Sequence, residues 1–203
     1  NIARKLDELG VDIIETGAPA VSPKVAEAVK KIAVLGLKAK TLAHSRPLLP
    51  EIDQVIESKV NQIGLFLATS KLHLNNRLHM TKTQAIDISI KGIKYAKKYG
   101  LDVRYTPEDA TRTDINFLLE ICGQAKKAGA DRICIADTVG IEQPESYGKL
   151  IKTVVEQIKI PVELHCHNDM GLALANTLSG VKNGASYAAV TVNGIGERCG
   201  ITD

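Results

Sequence analysis

Glu163, His165 and His167 stand two residues apart in Val162-Glu163-Leu164-His165-Cys166-His167-Asn168-Asp169. The stretch follows Pro161 and runs into Met170-Gly171, so it reads as a short strand entering a turn. Alternate side chains of a strand share a face, which groups the acid with the two imidazoles and turns Val162, Leu164 and Cys166 the other way. A strand packed only for stability has no use for such a row. The chemistry it suits is a His-x-His pair for a divalent metal with a carboxylate beside it.

Three further stretches carry polar residues at strand ends. Arg104 and Thr106 share a strand face, with Glu108 just beyond them. Asp137 and Thr138 close Ile135-Ala136-Asp137-Thr138-Val139-Gly140. Asn193-Gly194-Ile195-Gly196-Glu197-Arg198-Cys199-Gly200 is a glycine-rich turn whose backbone amides could face an anion. Metal, guanidinium, hydroxyl and carboxylates together suit an anionic, oxygen-rich substrate chelated to a divalent cation.

Such residues need a frame that gathers them. Helix-period and strand-period segments alternate throughout the 203 residues, which form one domain. Strands are expected at 11–15, 38–43, 62–68, 102–106, 132–136, 162–167 and 187–192. The helices between them are expected at 22–34, 49–58, 81–99, 114–128, 144–158 and 172–182, with another at 1–9 before the first strand. Sustained βα alternation implies a parallel sheet covered by helices. No Gly-x-Gly-x-x-Gly loop follows any strand, which removes support for a dinucleotide fold. Glu15, His44, Ser70, Glu108, Asp137-Thr138, His165-His167 and Asn193 all fall at strand C-terminal ends, and only a closed barrel brings those ends to one mouth. The expected fold is therefore an α/β (β/α)8 TIM barrel, incomplete here, with strands two to eight present and the first missing. Asn1 already lies within a helical pattern, so the chain reads as a fragment.

Composition excludes several classes. Net charge is +3 with lysines dispersed, and aromatic residues make up 3% with no Trp, so neither a nucleic-acid footprint nor a base-stacking platform is present. No apolar run is long enough to cross a bilayer. Cys122, Cys134, Cys166 and Cys199 have no C-x-x-C spacing; Cys122 and Cys134 read as small core residues, and a reducing, cytoplasmic setting fits.

Leu164-His165-Cys166-His167-Asn168-Asp169-Met170-Gly171, Thr106-Pro107-Glu108-Asp109-Ala110-Thr111-Arg112-Thr113-Asp114, Ala136-Asp137-Thr138-Val139-Gly140 and Asn193-Gly194-Ile195-Gly196-Glu197-Arg198 resemble, in order, motifs of the acyl-CoA-condensing branch of the DRE-TIM metallolyases. Homocitrate synthase and 2-isopropylmalate synthase belong to that branch. The resemblance implies a Claisen condensation of acetyl-CoA with a 2-oxo acid, a divalent metal (Zn, Mg or Mn) and a homodimer. It implies metal binding by His165 and His167, catalytic roles for Glu108 and Glu163, and substrate binding by Arg104, Thr106, Thr138 and Glu15. Arg104, and Gly200 followed by Ile201-Thr202, are similar to the homocitrate branch and imply 2-oxoglutarate. The stretch from Pro107 to Thr113 is closer to the isopropylmalate branch, and citramalate- or citrate-forming synthases are the neighbouring alternatives. The family's Asp-Arg-Glu motif is absent, so the chain alone is expected to be inactive, and a non-catalytic barrel is the competing expectation. Cys199 raises a reverse-cleaving lyase, which the synthase-like Gly-Glu-Arg-Cys-Gly context disfavours. His44 is left open, and His73 and His79 are expected in a polar linker.

Overall fold

The computed structural model describes residues 1–203. Seven parallel strands lie side by side in chain order: β1 (Ile13–Glu15), β2 (Lys40–Ser45), β3 (Gln62–Ala68), β4 (Asp102–Glu108), β5 (Arg132–Asp137), β6 (Val162–Cys166) and β7 (Tyr187–Ala188). Between and before them run α1 (Ile2–Leu9), α2 (Pro23–Ala33), α3 (Leu49–Glu57), α4 (Lys71–His73), α5 (Lys82–Lys98), α6 (Ile115–Ala128), α7 (Pro144–Ile158) and α8 (Ala173–Lys182). Sequential parallel order with intervening helices is the arrangement of a (β/α)8 barrel one strand short.

Local chemistry sets the helix ends. Ser22 accepts the Val25 N–H at 3.3 Å ahead of Pro23, and Asp114 accepts that of Phe117 at 3.1 Å. Thr81 and Gln84 form a reciprocal capping box that starts α5. Gly10 and Gly129 close α1 and α6 in the left-handed conformation.

The period of two divides each strand between two environments. Ile63, Leu65, Val103, Tyr105, Ile133, Ile135, Leu164 and Cys166 are fully buried in the main apolar core with Leu118, Ile121, Tyr147, Ile151 and Val154 of the helices. Leu164 packs so closely on α8 that a Cβ at Gly180 would lie 2.6 Å from its Cδ1. The alternate residues form the second set: Arg104 and Thr106, Arg132 and Cys134, Glu163 and His165. They meet one another rather than the apolar core. The β6 register is the one read from the sequence, with Leu164 and Cys166 toward the helices.

Two segments differ from expectation. The last strand ends at Ala188 instead of continuing to Val192, because Gly200–Thr202 occupies the end of β6: Asn168 N–H bonds to Gly200 O at 2.9 Å and Thr202 N–H to Cys166 O at 3.2 Å. Residues 71–78, read as a polar linker, are helical, with α4 followed by a wide π-type turn over Leu74–Leu78. Leu74 is buried there, which gives the turn an apolar anchor. No helix is long and apolar enough to cross a membrane.

Candidate active site

The inward row of β6 begins with Glu163, whose carboxylate is divided between two guanidiniums. Oε1 pairs with Arg104 Nη1, and Oε2 lies 2.6 Å from Arg132 Nε. Arg104 Nη1 also meets Glu15 Oε1 at 2.5 Å, and Nη2 lies 3.2 Å from His44 Nδ1. His44 Nε2 returns to Glu15 Oε2 at 3.0 Å. Glu15, His44, Arg104, Glu163 and Arg132 thus form one connected network contributed by five strands. Burial pushes Glu15 upward, but Arg104 and His44 overcome this and hold it well below the usual carboxylate range. For Arg104, burial opposes the charge while Glu15 and Glu163 outweigh it, so the guanidinium stays protonated.

Above Glu163 stand His165 and His167, their Nε2 atoms 3.2 Å apart and their rings edge to face. Burial pushes His165 down to about 4 against the pull of Glu15. Burial, assisted by Arg198, also lowers His167. Both rings are therefore neutral near pH 7, the state in which imidazole ligates metal. The donor set fits a divalent cation as far as these two nitrogens go. No group of three or more His, Cys, Asp or Glu side chains surrounds a common point.

Four buried polar atoms at neighbouring inward positions lack hydrogen-bond partners: Arg104 Nε, Thr106 Oγ1, His167 Nδ1 and Arg132 Nε, the last close to Glu163 Oε2 without a hydrogen bond to it. Buried polar groups ordinarily find partners, so two free donors on one strand face mark where a ligand oxygen would be welcome.

The remaining expected residues serve the loops around this row. Glu108 is mostly buried and meets Arg77 Nη2 at 2.9 Å. Thr138 Oγ1 accepts the Asp109 N–H at 2.8 Å, leaving its own hydroxyl proton to donate. Asp137 turns into its own loop, accepting from Thr111 Oγ1 at 3.1 Å and from the Ile141 and Glu142 amides. Asn193 lies exposed in the glycine-rich turn with φ 58°. His79 is exposed, whereas His73 sits against the fully buried Asp109.

Arg132, Gln62, Arg77 and Tyr187 enter this region without having been singled out in the sequence. Arg132 follows Asp131 at the start of its strand and reads there as a solvated boundary pair. Its parity with Cys134 was the available signal. Cys134, read as a small core residue, is buried as expected, on the inward face; burial and then Glu163 raise its thiol pKa. A small polar cavity lined by Lys40, Gln62, Asp102, Arg104, Asp131 and Arg132 opens at the opposite, N-terminal ends of the strands. Active sites of this architecture lie at the C-terminal ends, where the histidines stand.

Residues 1–203 match the HMGL-like family. The chain is 50% identical over 201 residues to the 2-isopropylmalate synthase of Sulfurisphaera tokodaii, covering 98% of this chain and 52% of that protein. It is 49% identical over 202 residues to the homocitrate synthase of Pyrococcus horikoshii, covering 100% of this chain and 56% of the relative. The chain thus spans about half the length of the curated relatives it matches. An HMG-CoA lyase from Acinetobacter baumannii, solved with coenzyme A and 3-methylmalate, superposes with a TM-score of 0.76 at 20% identity over 95% of this chain and 66% of that one. At that identity the superposition speaks for the fold. With a family match from end to end and relatives near one-half identical, the chain belongs to the HMGL-like family of metallolyase-type barrels.

Proposed function

We propose that the protein condenses acetyl-CoA with a 2-oxo acid, and that the acid is 2-oxoglutarate, giving homocitrate. The observation that carries this reading is the pair of unpartnered donors, Arg104 Nε and Thr106 Oγ1, on the strand face beside two neutral imidazoles. A carboxylate placed there would satisfy both donors, and a guanidinium binds carboxylate more strongly than a neutral donor does. The relatives include both homocitrate and 2-isopropylmalate synthases at nearly equal identity, and Arg104 is the residue that favours the homocitrate reading. A second carboxylate, which 2-oxoglutarate has and 2-oxoisovalerate lacks, gives this arginine a use.

The parts divide as follows. His165 and His167 would hold a divalent cation, which when bound polarises a ketone and its neighbouring carboxylate. Thr138 can donate its hydroxyl proton to a substrate carboxylate, since only its lone pair is engaged by Asp109. Glu108, oriented by Arg77, would move the proton of the acetyl methyl group. Carbon–carbon bond formation and thioester hydrolysis then release coenzyme A. Glu15 keeps Arg104 charged and aimed. Glu163, which meets both Arg104 and Arg132, is the second carboxylate proposed to act in catalysis. A reducing, cytoplasmic setting and a homodimer accompany this reading.

The experiment is a substrate panel on the full-length protein. Acetyl-CoA is offered with 2-oxoglutarate, 2-oxoisovalerate, pyruvate and oxaloacetate, and free coenzyme A is measured. Highest kcat/KM on 2-oxoglutarate supports the proposal. Preference for 2-oxoisovalerate would move the assignment to the isopropylmalate branch, and no release with any acid would favour a non-catalytic barrel.

A further inference from the structure

β3 carries a glycine in its interior for which the backbone gives no reason. Gly64 is buried, pairs with β2 on one side and β4 on the other, and has no positive φ. Glycine weakens a strand interior, and there it commonly marks a place where another group must come close. What comes close here is polar. A Cβ built on Gly64 would lie 2.9 Å from Arg104 Nη2 and 3.1 Å from both His44 Nδ1 and Leu42 Cδ2.

The register explains the crowding. His44 of β2, Gly64 of β3 and Arg104 of β4 are Cα partners in one row across the sheet. Strands two apart are separated by about 10 Å, so their side chains meet readily only over a small residue between them. Arg104 Nη2 crosses Gly64 and reaches His44 Nδ1 at 3.2 Å. A guanidinium can only donate, so Nδ1 accepts, and the ring proton on Nε2 goes to Glu15 Oε2 at 3.0 Å. Glu15 Oε1 takes Arg104 Nη1 at 2.5 Å and closes the circuit. The fully buried Leu42 walls the remaining side, so a side chain at 64 gains room by pushing Arg104 or His44 away.

We infer that Gly64 is a positioning residue: by having no side chain it opens the path along which Arg104 reaches His44, and so sets the guanidinium in the orientation that meets the carboxylate of the substrate. The inference rests on the reading of Arg104 as a carboxylate-binding residue. Gly64 itself touches no reacting atom. Its effect passes through Arg104, whose flexible end is what yields to a side chain there. The backbone need not move, because the strand conformation at 64 suits any L residue.

The test is a double-mutant cycle on the full-length protein, read by KM and by a crystal structure. Gly64→Val places methyl groups between the two side chains and should raise KM for the 2-oxo acid by about tenfold or more. KM for acetyl-CoA and kcat should move less than about threefold, the pattern of lost ground-state binding. Gly64→Ala, with one methyl, should fall between wild type and Val. His44→Ala removes the far end of the contact and vacates space beside position 64. In that background Gly64→Val should change KM by less than about threefold. In the crystal structure of Gly64→Val, Arg104 Nη2 and His44 Nδ1 should stand more than about 3.5 Å apart, outside hydrogen-bond range. If Val fails to fold, Gly64→Ala and its combination with His44→Ala carry the same comparison.

A rise in KM by the same factor with and without His44 would overturn the inference, since a merely structural fault at 64 is indifferent to the imidazole. So would an unchanged KM, or a Gly64→Val structure with the Arg104–His44 contact intact. If the wild type released coenzyme A with none of the 2-oxo acids, the functional reading would fall, and the crystal structure would still decide what Gly64 does for Arg104.

Discussion

Arg198 grips Asp169 at two points, Nε to Oδ1 at 2.7 Å and Nη2 to Oδ2 at 2.9 Å, and the same Nη2 donates to the Thr138 carbonyl at 2.6 Å. One side chain from the glycine-rich turn thus ties down the loop after His167 and the loop after β5. Gly140 makes room for the junction: a Cβ there would lie 2.7 Å from Asp169 Oδ2 and 3.0 Å from the His167 carbonyl oxygen, and its φ of 62° is one that L side chains rarely adopt.

Arg198→Ala should therefore separate stability from function. The Arg198–Asp169 pair is partly exposed, so the loss of folding free energy should be about 1 kcal/mol or less. Activity should fall more, by about tenfold or beyond, because both loops it ties carry proposed site residues. Thermal unfolding measured beside kcat/KM checks this; a loss of activity no larger than the stability change accounts for would contradict it.

Asp109 supplies a prediction in pH. It is fully buried, its backbone is left-handed at φ 62°, and it takes Arg112 bidentately at 2.8 and 2.8 Å. Burial raises its pKa, but the Arg112 and Ser70 contacts outweigh burial and hold the carboxyl below its ordinary value of 3.8. A carboxyl lowered in the folded state contributes stability that is present above the ordinary value and is lost as pH falls through the folded one. Asn also tolerates the left-handed conformation, so Asp109→Asn removes charge without backbone strain. The variant should be less stable by about 1.5–3 kcal/mol near pH 7, a gap that closes below about pH 4. Urea unfolding across pH 3–7 measures it; a gap independent of pH would show that the charge is not the cause.

The histidines predict metal. Titration of the full-length protein should reach about one divalent ion per chain, and a His165→Ala, His167→Ala double variant should lose at least about 100-fold in affinity, since even outer partners of metal ligands are worth 10–100-fold. Full metal content in that variant, by elemental analysis after dialysis, would remove both residues from the ligand set.

How far the sequence reached can be judged residue by residue. The period of two in 162–167 was enough to place Glu163 and His165 inward and Leu164 and Cys166 outward, because burial of one face fixes strand register. Helix ends were legible where a cap has its own chemistry, as at Ser22-Pro23, Thr81 and Asp114. Arg132 was missed because a cation beside Asp131 at a strand start looks solvated until three other strands are known to close over it. The short β7 was missed for a similar reason: nothing in Tyr187–Val192 shows that Gly200–Thr202 will take the hydrogen-bonding edge of β6. His73 looked like part of a linker because its partner, Asp109, lies 36 positions later.

Substrate choice by Arg104 is tested by the specificity of Arg104→Ala in the full-length protein. A charge-assisted contact from guanidinium to substrate carboxylate is worth roughly 1.5–3 kcal/mol, or about 10- to 150-fold in kcat/KM. The variant should lose at least that factor on 2-oxoglutarate and much less on 2-oxoisovalerate, which has no second carboxylate to lose. Equal losses on the two acids would contradict the account and make Arg104 a support of the buried network instead of its reader of substrate.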